Sequence, residues 1–223
     1  MSSKVFKDLS ATTIVYLFAY MMSFAGRSRP MQRTIYDSKF LFGATHRLAS
    51  IILKLAGWKA VDRSGGLKRY FLIVAPHTSN WDLVLMEFMA HALWIRGYWM
   101  GKHTIFKGPL GVFFKFLGGL PVDRTKSQNM VERGIHYYGE KEEFVFANAP
   151  EGTRKKVDRW RSGFSHIAMG AKVPIALAFL DYRKKEGGIG GMFYPTGDYN
   201  KDLKEIMEFY SHITPKNPRK ENK

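Results

Sequence analysis

The sequence predicts an α/β protein in which a mixed, mostly parallel central sheet is flanked by helices. Four short apolar runs each lead into a polar or Pro-containing loop, as buried strands of a parallel sheet do. Segments with helical spacing of apolar residues separate these runs, which is the alternation typical of open α/β sheets. The chain has 223 residues, of which 45% are hydrophobic. One substantial core is therefore expected.

The charge balance indicates a polyanionic partner. Lys and Arg number 35 against 19 Asp and Glu, which gives a net charge of +16. Such a charge suits a nucleic acid, an anionic membrane surface or a phosphorylated substrate. The 17 Phe and 11 Met residues favour the anionic membrane surface, and no nucleic acid is expected. The sequence contains no Cys, which excludes disulfides, a thiolate nucleophile and a Cys-based zinc site.

The first sixty residues predict a membrane-associating segment of two helices. An uncharged run from Leu9 to Gly26 is flanked by basic residues. Its length makes spanning marginal, so it can be a membrane-embedded or interfacial helix, an ordinary buried helix, or a cleaved signal ending near Ser23-Phe24-Ala25. The segment Lys39–Lys59 has the spacing of an amphipathic helix, which either covers the core or lies in a lipid headgroup layer. The predicted division is residues 1–60, a main domain over 61–214, and a disordered basic tail over 215–223.

The most informative stretch runs from Tyr70 to Asp82. A predicted strand over Tyr70–Ala75 leads through a Pro to His77, and Asp82 follows four intervening residues later. On the residues alone this pair has two interpretations. His77 can be a general base whose imidazole is oriented by Asp82. Alternatively, His77 is a buried histidine, and Asp82 is an acidic residue favoured in the first turn of a helix that Thr78, Ser79 or Asn80 can cap and that continues through the apolar stretch Leu83–Arg96.

Two later strands also end at charged residues. A short strand in Gly118–Thr125 ends at Asp123 and Arg124, and a strand over Glu143–Asn148 leads to the loop that carries Glu151 and Arg154. Open α/β sheets assemble sites at the carboxyl ends of their strands. The other predicted elements are a short helix or apolar wall over Val112–Leu117, a helix ending near Tyr138, a helix near Ser162–Gly170, a strand over Val173–Tyr182, a hairpin element around Gly187–Tyr194 and a last amphipathic helix from Asp198 or Asn200.

Four sequence blocks in order give the chain a resemblance to the glycerolipid acyltransferase superfamily, the lysophosphatidate acyltransferase group in particular. The first resembles the family's His-x4-Asp block and the second its phosphate-binding Arg block, while the third and fourth resemble its Pro-Glu-Gly-Thr-Arg and Val-Pro blocks. In this chain the blocks are His77 to Asp82, Gly119 to Arg124, Ala149 to Arg154 and Val173 to Ile175. The family often has a second Pro in the fourth block, where this chain has Leu177.

The resemblance implies acyl transfer from a thioester, either acyl-CoA or acyl carrier protein, to a hydroxyl of a lysophospholipid such as 1-acylglycerol-3-phosphate. It implies that His77 and Asp82 are catalytic and that no cofactor or metal takes part. The implied substrate-binding residues are Arg124, Glu151, Gly152, Thr153 and Arg154, with Lys102 a further phosphate candidate. The expected place of action is the cytoplasmic face of a membrane.

Three matters stay open at this point. Another lysolipid, such as an aminolipid or glycolipid precursor, can be the acceptor, and outside enzymes the basic charge suits a non-catalytic membrane-surface binding protein. Backbone N–H groups at the helix start after Pro76 are candidates for stabilising the oxyanion of the reaction.

Overall fold

A computed structural model describes residues 33–122, 127–153, 157 and 159–217. Its central feature is a seven-stranded sheet with the strand order β1-β7-β6-β2-β5-β3-β4. The strands are Lys59–Asp62 (β1), Arg69–Val74 (β2), Gly97–Lys102 (β3), Gly119–Val122 (β4), Phe144–Asn148 (β5), Ile175–Asp181 (β6) and Glu186–Phe193 (β7).

The pairing of the strands confirms the mixed, mostly parallel sheet. Neighbouring strands from β6 to β4 all pair in parallel. β7 runs antiparallel to β6 as the second strand of a hairpin, and β1 pairs in parallel with β7 at the sheet edge. β2 therefore lies in the middle of the sheet, with β6 on one side and β5 on the other.

The described chain has six α-helices, of which the middle four connect successive strands and the first and last precede β1 and follow β7. They are Lys39–Leu55 (α1), Asn80–Ala92 (α2), Gly108–Phe116 (α3), Ser127–Glu140 (α4), Gly163–Gly170 (α5) and Tyr199–Ser211 (α6). Short 3₁₀ helices cover Ile35–Asp37 and His103–Phe106.

The alternation of side chains along β2 divides the core between the two faces of the sheet. Phe71 and Ile73 are fully buried in a large cluster that includes residues of α4, α5 and α6. Tyr70 and Leu72 point to the other face, in a cluster with Met86 of α2 packed against it. Both faces are apolar because a parallel strand in the middle of a sheet is covered by helices on both sides.

Two strands were absent from the sequence prediction. β1 begins at Lys59, the last residue of the segment predicted as helix, and β3 begins directly after the predicted helix end at Arg96. β3 has the sequence GYWMGK, and two Gly residues in six weaken the sequence signal of a strand. Lys102 is the last residue of this strand.

The predicted N-terminal segment is described in part. The run Leu9–Gly26 lies outside the described residues, so its three interpretations stand as before. The predicted second helix is present as α1, from Lys39 to Leu55. Within the described chain, no helix combines the length and apolar character needed to cross a bilayer.

Candidate active site

The carboxyl ends of neighbouring parallel strands bring the predicted site residues that the structure describes to one edge of the sheet. His77 follows β2, and Glu151 follows the neighbouring β5. Lys102 is the last residue of β3, which lies next to β5. On the other side of β2, Tyr182 follows β6. Residues far apart in sequence therefore line one edge because their strands run in the same direction.

His77 and Asp82 lie within hydrogen-bond distance of each other. The Nδ1 atom of His77 is 3.2 Å from Oδ2 of Asp82. With Nδ1–H donating to the carboxylate, the neutral ring carries its lone pair on Nε2, which is then the nitrogen with proton-acceptor character. The His77 side chain is 26% exposed while Asp82 is 2% exposed, so the imidazole is accessible and the carboxylate is shielded.

The Asp82 carboxylate is held by four donors. Its Oδ2 accepts from His77 and from the backbone N–H groups of Thr78, at 2.7 Å, and Ser79, at 2.8 Å. Its Oδ1 accepts from the hydroxyl of Tyr182 at 2.7 Å. Burial acts to raise the pKa of Asp82, but hydrogen bonds from His77, then Tyr182, then the two amides outweigh it and leave the pKa below its usual value. Asp82 is accordingly ionised at neutral pH.

Asp82 also has the structural role that the alternative interpretation gave it. Ser79 is the N-cap of α2, and Asp82 is the third helical residue of a capping box that includes the Ser79 amide. The capping box supports α2 from its first turn. The same carboxylate therefore fixes the start of the helix and faces the His77 ring, so the two interpretations are compatible.

Most of the amides proposed as oxyanion donors are already engaged. The N–H of His77 donates to Glu151 at 2.9 Å, and those of Thr78 and Ser79 donate to Asp82. The N–H of Trp81 donates to the Ser79 hydroxyl at 3.2 Å. A donor that already serves a carboxylate is poorly placed to stabilise a second oxyanion. The amides of His77, Thr78 and Ser79 therefore serve to position His77 and Asp82 instead.

Glu151 contacts the backbone of His77 directly. Its side chain is 4% exposed, and Oε2 accepts the hydrogen bond from the His77 amide. The resemblance implied a substrate-binding role for Glu151, and in the structure its carboxylate also holds the backbone of His77. Gly152 follows in a left-handed conformation with φ +66°, which is why a Gly suits this turn. Thr153 continues the same turn.

Of the three cationic residues predicted for the site, only Lys102 lies within the described part of the chain. Lys102 is exposed at the carboxyl end of β3. Arg124 and Arg154 lie outside the described residues, so their predicted role as anion contacts remains a prediction. Among the residues that are described, no group of three or more His, Asp or Glu side chains is arranged to hold a metal ion.

Two residues near the site were given no role from the sequence. Tyr182 donates to Asp82 from the end of β6. Arg161 donates its backbone N–H to the Pro150 carbonyl at 3.0 Å, and its Nε would lie 3.0 Å from a Cβ added at Gly152. The only sequence signal for Tyr182 was its position at the end of a predicted strand. No sequence signal indicated Arg161, because its approach to the turn at Gly152 depends on tertiary packing.

Comparison with known proteins agrees with the resemblance. A family model described as Acyltransferase matches residues 43–177, which is more than half of the chain. The fold is similar to the crystal structure of the 1-acyl-sn-glycerophosphate (LPA) acyltransferase PlsC from Thermotoga maritima. That match has a TM-score of 0.56 and 20% sequence identity, and it covers 88% of this chain and 85% of the other. A search of curated proteins gave no significant match.

Proposed function

This chain belongs to the acyltransferase family, and from that premise we propose that it acylates a lysophospholipid in phospholipid biosynthesis. The donor is a thioester of coenzyme A or of acyl carrier protein, and the favoured acceptor is 1-acylglycerol-3-phosphate. The observation that carries the proposal is the 3.2 Å contact between His77 Nδ1 and Asp82 Oδ2 at the carboxyl edge of the sheet. Membership in this family supports an enzyme rather than a non-catalytic membrane-surface binding protein.

The reaction follows from the orientation of the His77 ring. Nε2 accepts the proton of the acceptor hydroxyl while the hydroxyl oxygen attacks the thioester carbonyl carbon. The ionised Asp82 stabilises the imidazolium that forms. When the tetrahedral intermediate collapses, the C–S bond breaks and the imidazolium returns the proton to the thiolate. The ester and the free thiol are released, and no covalent acyl-enzyme is needed.

Charge at the same edge supports a phosphorylated acceptor. β5 separates β2 from β3, so a strand spacing of about 4.8 Å places the end of β3 roughly 10 Å across the sheet from that of β2. Lys102 at the end of β3 is thus in a position to meet a phosphate whose glycerol carbons extend toward His77. Arg124 and Arg154 are proposed as further anion contacts, because the guanidinium group matches phosphate oxygens with two donors.

An acyl-transfer assay tests this function. Purified protein is given lysophosphatidate, lysophosphatidylcholine, a lyso-aminolipid or a lyso-glycolipid, each with acyl-CoA and with acyl carrier protein thioester. We expect the highest kcat/KM with lysophosphatidate, and the His77→Ala variant should lose at least about a hundredfold in kcat. His166→Ala is the matched control, since His166 is exposed on α5. Higher activity with another lysolipid would overturn the acceptor assignment, and full activity of the His77 variant would overturn the mechanism.

We also propose that the protein works on an anionic membrane surface on the cytoplasmic side. Helix α1 buries the side that carries Phe42, Thr45, Ala49 and Leu53, and its opposite side carries an exposed apolar stripe. This stripe consists of Phe40 (82% exposed), Leu48 (36%), Ile51 (56%) and Leu55 (69%). Arg47 and Lys54 flank it in the helix sequence. Exposed apolar residues beside basic ones on a helix are the pattern of interfacial binding.

Vesicle flotation tests the membrane proposal. The full chain should float with vesicles that contain anionic phospholipid and should bind less to neutral ones. Replacing Ile51 and Leu55 with Glu should lower the bound fraction severalfold, because two charges would then face the headgroup layer. Met207→Glu is the control, because Met207 is 44% exposed on α6. Equal flotation of the α1 variant and the control would remove α1 as a contact.

A further inference from the structure

Tyr182 completes the hydrogen-bond shell of Asp82 on the side away from His77. The two carboxylate oxygens have separate partners. Oδ2 accepts from the His77 ring and from the amides of Thr78 and Ser79, and the Tyr182 hydroxyl donates to Oδ1 at 2.7 Å. The carboxylate plane is thus fixed from both ends, which limits its rotation about the bond to Cβ.

Tyr182 is itself fixed by contacts outside the site. Its backbone N–H donates to the carbonyl of Thr214 at 2.9 Å. Its ring meets the ring of Trp58 edge-to-face, with centroids 5.1 Å apart and an interplanar angle of 90°. Such aromatic pairs have a preferred geometry and resist rotation. The hydroxyl is therefore presented to Asp82 by a side chain with little freedom of its own.

The hydroxyl remains a donor over the working pH range. Burial first, and then the hydrogen bond and charge of Asp82, raise the pKa of Tyr182 well above its ordinary value. The O–H bond consequently stays intact wherever Asp82 is ionised. The hydrogen bond is of the charge-assisted kind, which is stronger than one between neutral groups.

We propose that Tyr182 is a positioning residue that acts through Asp82 to hold the His77 ring in the orientation that accepts a proton. The proposal rests on the function assigned above to His77 and Asp82. Tyr182 does not touch the reacting atoms. Without its hydroxyl, Oδ1 loses the donor described here and the carboxylate gains freedom to turn, so the hydrogen bond that sets the His77 tautomer is held less firmly.

Kinetics of Tyr182→Phe test the role, since the substitution keeps the ring against Trp58 and removes only the hydroxyl. We expect kcat to fall on the order of tenfold, which is the effect of losing one hydrogen bond to a charged group, with KM for both substrates unchanged. In the Asp82→Asn background the same substitution should cause no further loss. Tyr194→Phe is the control, because Tyr194 is 66% exposed. Wild-type kcat in Tyr182→Phe, or an equal further loss in the Asp82→Asn background, would overturn the proposal.

A spectroscopic readout separates this role from the proposed function. In protein labelled with ¹⁵N-histidine, His77 of the wild type should show a single neutral tautomer with the proton on Nδ1. Tyr182→Phe should give a mixture of tautomers, while the signal of His166 stays unchanged. An unchanged His77 signal would sink the positioning role. If the tautomer changes but the wild type acylates no lysolipid, the positioning role stands and the proposed acceptor falls.

Discussion

Replacement of Asp82 by Asn separates its two roles, because Asn retains an oxygen for hydrogen bonding but carries no charge. Two buried amides and the His77 ring converge on Oδ2 of Asp82. Hydrogen bonds to charged groups contribute about 1.5–3 kcal/mol and neutral ones about 0.5–1.5 kcal/mol. The two amide bonds should each weaken by about 1 kcal/mol, so the free energy of unfolding falls by about 2 kcal/mol.

The effect on activity should be much larger than the effect on stability. A loss of about 2 kcal/mol lowers Tm by roughly 4–8 °C in a domain of this size, which leaves the protein folded at 25 °C. An oriented base typically contributes about 10²- to 10⁴-fold to the rate. We therefore expect kcat of the Asp82→Asn variant to fall by about 10²-fold or more, as measured by initial rates of acyl transfer with calorimetry on the same samples.

Asp202 provides a matched control for this experiment. It is 3% exposed in the first turn of α6 and accepts hydrogen bonds from the amide and the hydroxyl of Thr196, at 2.9 and 2.6 Å. Asp202→Asn should lower Tm by a similar amount and leave kcat within about twofold, since no charge-dependent step involves it. If Asp82→Asn lost stability like the control but kept kcat within about threefold, Asp82 would be a helix cap alone.

Four further predictions concern stability and the loop that carries His77 and Thr78. Because folding lowers the pKa of Asp82, its contribution is complete above about pH 4 and is lost as pH falls through the folded pKa. Denaturant titrations should therefore show wild type and Asp82→Asn converging in stability at acid pH. Burial raises the pKa of Glu87 to about 8. Because Glu87 then ionises at lower pH in the unfolded state than in the folded state, the free energy of unfolding of the wild type should decline from about pH 5 to pH 8. Calorimetry should show a flatter dependence of stability on pH for Glu87→Gln. Phe71 is fully buried, and Phe71→Ala should lower the free energy of unfolding by about 3–5 kcal/mol in urea melts. The Asn217 side chain donates to the Thr78 carbonyl at 3.0 Å, so Asn217→Ala should lower kcat severalfold in the transfer assay while Tm changes by less than about 3 °C.

Local residues determined most of the secondary structure. The predicted strands over Tyr70–Ala75 and Glu143–Asn148 correspond to β2 and β5, because short apolar runs bounded by turn residues are typical of buried strands. The last helix begins after Asp198, whose side chain accepts from the amides of Asn200 and Lys201, as its capping propensity indicated. The helix after His77 begins at Asn80 with Ser79 as its N-cap, which is one of the three caps predicted, and Asp82 lies in its first turn as predicted.

The C-terminal region shows how contacts alter a prediction from composition. Residues 215–223 were predicted to be a disordered basic tail. Lys216 lies over the Trp81 ring, 5.2 Å from its centroid, and Asn217 bonds to Thr78, whereas residues 218–223 lie outside the described part. Composition alone could not indicate these contacts, because they depend on where the segment from Thr78 to Trp81 lies relative to the end of α6.

By itself, the sequence determined the fold class, the family and the pair His77 and Asp82, because these depend on local patterns and ordered motifs. Only the tertiary structure decided which atoms meet. The order of strands in a sheet is set by long-range pairing, and that order brings the ends of β6, β2, β5 and β3 to one edge. It also brings the Tyr182 hydroxyl to Oδ1 of Asp82 across a separation of 100 residues. A carboxylate orients a base only when hydrogen bonds fix its own plane, and those bonds come from the packed structure.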